Sequence, residues 1–459
     1  MHYQSNGMTL DECLRAADET KEFILKEDAL KEVPSVLRAY FDGMRLCLLI
    51  ADDFTYDVAG KNLQDILKGE NISVHRYIFP GTPRLHADYD HVKTLIGVIS
   101  TLPDYKNVVP IAVGAGTIND LVKRAAFELD IPYICVATAS SVDGYTANGS
   151  SLLGDGFKQV FPCSAPKVVI ADTDVLANAP AYLSSSGFGD LASKIIAGTD
   201  WILSDMASTV GAPSTEAIDE KAWAMTQPSL YSALNSSIDA VRGNRDAVKT
   251  LFGALAVTGF AMQYYKSSRP VSGVEHAFSH IWEMEDLSVN GVPVTHGHKV
   301  AIGTLSALAF TELFFADPDG PPPVSKSFKR PSRAEREQEV AFSFKDSAAK
   351  VLVVKTALNK YMEDVLAERV NELIRDSWRE LRSRINERLI PYKELKALLE
   401  RGGCPVLPES INLTRAKTIA TAHQAQMSRV RYGILDLAWD MGNFETILRK
   451  IEDSDVYLR

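Results

Sequence analysis

Along the first third of the chain, short apolar runs alternate with amphipathic ones. MRLCLLIA (44–51), ISVHRYIF (72–79), VVPIAVG (108–114), PYICVAT (132–138) and KVVIAD (167–172) are nearly continuous in hydrophobicity and rich in β-branched residues. Between them, VAGKNLQDILKG, HVKTLIGVIS and INDLVKRAAFEL carry apolar residues at helical spacing. The alternation predicts an α/β fold, a Rossmann-like parallel sheet covered by helices on both faces. Beyond about residue 175 the strand pattern fades, and helical periodicities run through 217–265, 299–316, 337–400 and 414–452. Residues 1–175 are expected to form the α/β domain and residues 176–459 an all-helical one. The first 35 residues read as amphipathic helix. DPDGPPPVSKSFKRPSRAE (317–335), Pro-rich and then basic, reads as an exposed connection.

Composition adds boundaries to this picture. At 459 residues the chain is too long for one compact core, and 46% hydrophobic with 24% charged residues is ordinary for a globular protein. A net charge of −10 counts against a general nucleic-acid binder. The five cysteines (Cys13, Cys47, Cys135, Cys163 and Cys404) are scattered and form no CxxC pair, so neither a disulfide framework nor a thiolate metal site is suggested. MHYQSNGMTLDECLRAADETKEF lacks the apolar core of a signal peptide. The apolar stretches around 250–263 and 300–316 are broken by Thr, Ser and Glu. They read as buried helices rather than membrane spans of about 20 apolar residues. A cytoplasmic protein without membrane insertion is expected.

Candidate chemistry begins with GAGT, which joins the run 108–114 to a helix. Glycines there let backbone N–H groups approach a pyrophosphate, and the helix start favours negative charge. The spacing is only half of the usual dinucleotide fingerprint, and a plain tight turn is the competing reading. In IADDFTY, Asp52 or Asp53 could accept the ribose hydroxyls of an adenosine, or cap a helix. CVATASSVDGYTANGSSLLGDG (135–156) follows a buried strand at the ligand-binding edge of such sheets. Its Asp143 suits a polyol, although a solvated loop fits as well.

Four of nine histidines (His276, His280, His296 and His298) fall between 276 and 298. His276 and His280 are four apart and share one helical face. His296 follows a turn containing Gly291 and Pro293, where another helix begins. Two imidazoles and a carboxylate would make a site with an open position for a substrate oxygen. Asp190, in LSSSGFGDLASKIIAG, is the best carboxylate candidate; it opens a helical run, so N-capping is its competing role. Histidines in separate surface or core roles would be the alternative to a shared site.

These segments together resemble the sn-glycerol-1-phosphate dehydrogenases. That family lies in the superfamily of iron-type alcohol dehydrogenases, glycerol dehydrogenase and 3-dehydroquinate synthase, and its bacterial, nickel-associated branch is the nearest in likeness. ADDFTY, GAGTIND, SSVDGYT, GFGD, SGVEHAFSH and THGHKVAIGT occur in family order, and the late GGCPVLPESINLTR also looks like that branch. The resemblance implies a dehydroquinate synthase-like fold, whose helical domain binds the metal. It implies Asp190, His276 and His296 as ligands of one divalent ion (nickel, zinc or iron), and Asp143 and His280 as substrate-contacting residues.

For NAD(H) or NADP(H) the resemblance implies Asp52 at the adenosine ribose. Gly114, Ala115, Gly116, Thr117 and Ile118 would meet the pyrophosphate, and Thr138, Ala139, Ser140 and Ser141 would form a second contact stretch. The family's usual cofactor-contacting serine is Ala147 here, so that hydroxyl is missing or comes from Thr146. His298 takes no family role. The activity implied is interconversion of dihydroxyacetone phosphate and sn-glycerol 1-phosphate, feeding glycerophospholipid synthesis, by a homodimer acting on a small phosphorylated triose. A glycerol or other polyol dehydrogenase and an inactive scaffold relative are the alternatives. Dehydroquinate synthase fits less well, because its metal carboxylate is typically a glutamate where this chain has Asp190.

Overall fold

The structure is a computed structural model describing residues 7–154, 157–325 and 328–459. The start of the N-terminal stretch, Asp155 and Gly156 of the Ser/Thr/Gly run, and Lys326 and Ser327 of the Pro-rich connection lie outside the described residues. The chain divides into two compact units, Met1–Leu191 with Tyr231–Ser267, and Ala192–Leu230 with Ser268–Arg459.

In chain order the strands of the first unit are β1 (Glu22–Lys26), β2 (Leu46–Asp52), β3 (Val74–Phe79), β4 (Val108–Gly114), β5 (Ile134–Ala137), β6 (Gly149–Gly154), β7 (Phe157–Pro162) and β8 (Val168–Asp172). Six make one parallel sheet in the order β1-β8-β5-β4-β2-β3, while β6 and β7 form an antiparallel hairpin. β4, β5 and β8 are buried at every position, which is why their sequences are apolar without alternation. Leu37, Leu63 and Leu67 of the flanking helices complete a core with Leu49, Ile111, Val136 and Ile170 of the sheet.

Two expectations change here. The N-terminal segment holds a helix, Leu10–Ala16, but Glu22–Lys26 is an edge strand running from Glu22↔Val168 to Lys26↔Asp172. Five residues, EFILK, are too few to show a period. Pairing with β8 decides, helped by Phe23 packing on Phe252 and Phe260 at centroid distances of 6.0 and 5.6 Å. Within the run 135–156, for which a solvated loop is one of two readings, Gly149–Gly154 is strand β6.

Because β3 lies outside β2, the chain must cross back to enter β4. The strand order therefore reverses between β2 and β4. Open α/β sheets bind ligands at such a reversal, outside the carboxyl ends of the strands. Ile50 pairs with Ala112, so Asp52 and Gly114 end adjacent strands at one level.

The second unit is helical. Its helices Val274–Met284 and His296–Phe314 are joined by a two-stranded ribbon, Ser288–Val289 with Val292–Pro293. The turn is Asn290-Gly291, with φ of 51° and 77°, the left-handed pair that such a tight reversal requires. A side chain on Gly303 would run into the Glu275 carbonyl and lie 3.2 Å from Phe278 Cβ, so a glycine is what lets these two helices meet. The 317–335 connection is largely exposed, Lys329 and Arg333 included, as its composition suggests, but Arg330 is half-buried, and Arg336 just beyond it is buried. Arg330 pairs with Asp440 at 2.6 Å, and Arg330 and the buried Arg336 both pack on the Trp439 ring, at 4.9 and 4.5 Å. Cation–π contact on this half-buried tryptophan holds the guanidinium groups against the fold. Among the described residues no helix is long and apolar enough to cross a membrane.

Candidate active site

At the carboxyl edge of the sheet, GAGT connects β4 to the helix Gly116–Glu128. Its N-cap, Ala115, has no side chain that can bond the first-turn amides. Those N–H groups, with the positive end of the helix dipole, are the chemistry of an anion site. A Cβ on Gly114 would come within 2.6 Å of Ile118 Cβ, so the turn closes only with glycine. Asp52 does cap the next short helix: its Oδ1 accepts from Thr55 N at 2.7 Å, and Thr55 Oγ1 lies 3.1 Å from Asp52 N. Asp53 points elsewhere, accepting from Gly81 N at 2.9 Å. Capping is thus the structural role of Asp52, at a position level with the glycine turn.

Thr138, Ala139, Ser140 and Ser141 continue from β5 and are all buried. Thr138 N donates to Gly114 O at 3.2 Å, which sets this stretch beside the glycine turn. Ser140 Oγ has no hydrogen-bond partner among the described residues. A buried hydroxyl left this way is the kind of group a bound polar ligand would satisfy. An uncapped helix start, a glycine turn and an unpaired hydroxyl together fit a dinucleotide.

The loop beyond is pinned from two sides. Lys123 donates from Nζ to Gly144 O at 2.7 Å and Gly149 O at 2.9 Å. Thr146 donates to Ala256 O at 2.8 Å and is fully buried. The Thr146 hydroxyl, a candidate source of the contact missing at Ala147, is donated to the helix Arg245–Tyr265. Asp143 N donates to Asp190 Oδ2 at 3.0 Å. Asp190 itself departs from the sequence reading. It lies in the last turn of the helix Ala181–Ala192, which begins just after Pro180, so it caps no helix start. It is fully buried, and a carboxylate there faces the negative end of the helix dipole. Both circumstances cost free energy, and a bound cation would offset them.

His276 and His296 project from successive helices with ring centroids 5.4 Å apart, and His280 stands 6.3 Å from His276. One potential metal-holding group emerges among the described residues, Asp190 with His276 and His296. Each offers one ligand atom, and these atoms lie within 4.8 Å of one another. One carboxylate and two imidazoles suit a divalent ion of borderline softness. Burial, then the Lys194 ammonium, holds His276 well below the ordinary histidine range, which keeps its ring neutral as a ligand must be. His298 is half-buried rather than on the surface, and burial pushes it down to about 4.

Sequence reasoning missed several neighbours. Lys194 is fully buried, four residues after Asp190. Glu275 Oε1 lies 2.7 Å from His276 Nδ1, and Glu283 Oε1 lies 2.8 Å from His296 Nδ1. Burial and the nearby Asp200 carboxylate push Glu275 up to about 8. Spacing held a signal for both, since Glu275 adjoins His276 and Glu283 follows it by two helical turns.

Comparison with known proteins agrees with this architecture. The sequence pattern of the iron-containing alcohol dehydrogenases matches residues 24–180. The fold resembles the crystal structure of glycerol dehydrogenase from Schizosaccharomyces pombe, with a TM-score of 0.57 at 15% identity over 96% of this chain and 95% of that one. Fold and sequence pattern thus define an iron-type dehydrogenase architecture. Glycerol-1-phosphate dehydrogenase (NAD(P)+) of Halalkalibacterium halodurans is 34% identical over 289 residues, 62% of this chain and 69% of the relative. The enzyme of that name from Geobacillus thermodenitrificans is 28% identical over 89% of this chain and 90% of its own. That from Pyrococcus horikoshii is 30% identical over 62% and 77%. The chain belongs to the glycerol-1-phosphate dehydrogenase family.

Proposed function

We propose that this protein interconverts dihydroxyacetone phosphate and sn-glycerol 1-phosphate with NAD(H) or NADP(H), using one divalent ion held by Asp190, His276 and His296. The observation that carries the reading is that triad, within ligand distance of one another in a chain whose relatives are glycerol-1-phosphate dehydrogenases. When bound, the dinucleotide supplies the hydride and the divalent ion (zinc, nickel or iron) supplies Lewis acidity toward the substrate oxygen.

The chain's own residues do the rest. Gly114, Ala115, Gly116, Thr117 and Ile118 receive the pyrophosphate on backbone N–H groups at the helix start. Asp52 faces the adenosine ribose, and Thr138 to Ser141 line the cofactor beside the glycine turn. Asp143 and His280 orient the substrate hydroxyls, and His280 moves a proton to or from the alcohol oxygen. Residues 1–175 take the dinucleotide in this reading, and residues 176–459 the metal and most of the substrate. The enzyme works in the cytoplasm as a homodimer on a small phosphorylated triose. Five buried cysteines, none in a disulfide, suit a reducing compartment.

The test is loss of NAD(P)H absorbance with dihydroxyacetone phosphate, its abolition by a chelator, and its return with a divalent ion. Equal turnover of unphosphorylated dihydroxyacetone would instead indicate a polyol dehydrogenase. A chiral assay of the glycerol phosphate formed decides the stereochemistry.

A further inference from the structure

We infer that Glu275 and Glu283 are positioning residues that fix the tautomer of His276 and His296, so that both rings carry Nδ1–H and present Nε2 as the ligand atom. The ligand half of this inference rests on the metal reading above. Each carboxylate oxygen concerned has a second partner that can only donate. Glu275 Oε1 accepts from the backbone N–H of Gly273 at 2.7 Å and lies 2.7 Å from His276 Nδ1. Glu283 Oε1 lies 3.3 Å from the Lys299 ammonium and 2.8 Å from His296 Nδ1. An oxygen already accepting from an obligate donor takes a second donor most readily, so the ring proton belongs on Nδ1. Nε2 is then the nitrogen whose lone pair points to the ligand position.

The two arms differ in surroundings. Glu275 is fully buried beside a buried His276, whereas the His296 side chain is 24% exposed and Glu283 shares its oxygen with Lys299. Both carboxylates come from the single helix Val274–Met284, one in its first turn and one in its last. That helix therefore supplies one ligand and orients both. Carboxylates behind metal-bound imidazoles raise ring basicity and hold the ring plane, and losing one costs about 10–100-fold in metal affinity.

Two measurements test this. In metal-free wild-type protein labelled with 15N-histidine, long-range 15N–1H correlations should show His276 and His296 as Nδ1–H tautomers. Nε2–H at both would overturn the inference. Zinc affinity, measured by competition with a chelator, should fall about 10–100-fold in Glu283→Leu. It should fall less in Glu283→Gln, whose amide oxygen still accepts. Circular dichroism checks the fold of each variant. Unchanged zinc affinity in a folded Glu283→Leu would overturn the orienting role. A wild-type protein that takes up no divalent ion would overturn the metal reading instead, while the tautomer in metal-free protein still decides the orientation.

Discussion

Gly303→Ala tests the claim that close helix packing sets the distance between His276 and His296, the proposed metal ligands. The added methyl would overlap the Glu275 carbonyl and sit 3.2 Å from Phe278 Cβ and 3.3 Å from the Glu275 carbonyl carbon. Carbon contacts relax at about 3.5–4.0 Å, so the helix His296–Phe314 must back away from Val274–Met284 by about 1 Å. Global stability is a poor readout of that movement. Overpacking costs about 1–3 kcal/mol, but alanine regains about 1 kcal/mol of helix propensity. The net is about 0–2 kcal/mol. Geometry is far less forgiving: metal–ligand distances tolerate only about 0.2 Å. Zinc affinity and turnover should therefore drop by about 100-fold while the melting temperature moves by a few degrees. Gly253→Ala is the control, because its methyl would meet only Leu25 Cδ2 at 3.7 Å, an ordinary contact. That variant should be slightly stabilised, with metal affinity unchanged. A Gly303→Ala protein with wild-type zinc affinity would refute the reasoning.

Other outcomes follow from single residues. Asp190→Asn should lose the bound ion and with it turnover, checked by elemental analysis; retention of both would remove Asp190 from the ligand set. Thr146→Val removes a buried hydrogen bond to the Ala256 carbonyl, which keeps its bond within the helix, and should cost about 0.5–1.5 kcal/mol in denaturant unfolding. It should leave the KM for the dinucleotide unchanged, since the hydroxyl is donated to a helix carbonyl. Lys299→Met removes the cation that shares the Glu283 oxygen. It should tighten zinc binding by up to about tenfold, the scale on which groups behind the ligands act. It should also lower the melting temperature of the metal-free protein, where buried Glu283 loses its ammonium partner; weaker zinc binding would contradict this.

Local pattern carried the sheet. Four apolar runs became β2, β4, β5 and β8 because a strand covered on both faces has to be apolar along its whole length, while ISVHRYIF became β3 at the sheet edge with His75 and Arg76 exposed. β1 was illegible for the converse reason: EFILK is short, lies at an edge, and becomes a strand only by pairing with a segment some 146 positions away. Asp190 was identified as a residue but misplaced within its helix, because nothing in LSSSGFGD marks where the helix starts; Pro180, further back, does.

Chemistry divides along the same line. Residue types and spacing alone determined that histidines gather in one window, that two share a helical face, and that a glycine turn follows a buried strand. The tertiary structure decided what those groups meet. It ended β2 and β4 side by side, brought Asp190 to His276 and His296, and set Glu275 and Glu283 behind the rings. It also committed the Thr146 hydroxyl to the Ala256 carbonyl. Periodicity is a property of neighbours in sequence and can be read from them. Ligand sets and hydrogen-bond partners depend on distances between segments far apart in the chain, which only packing fixes.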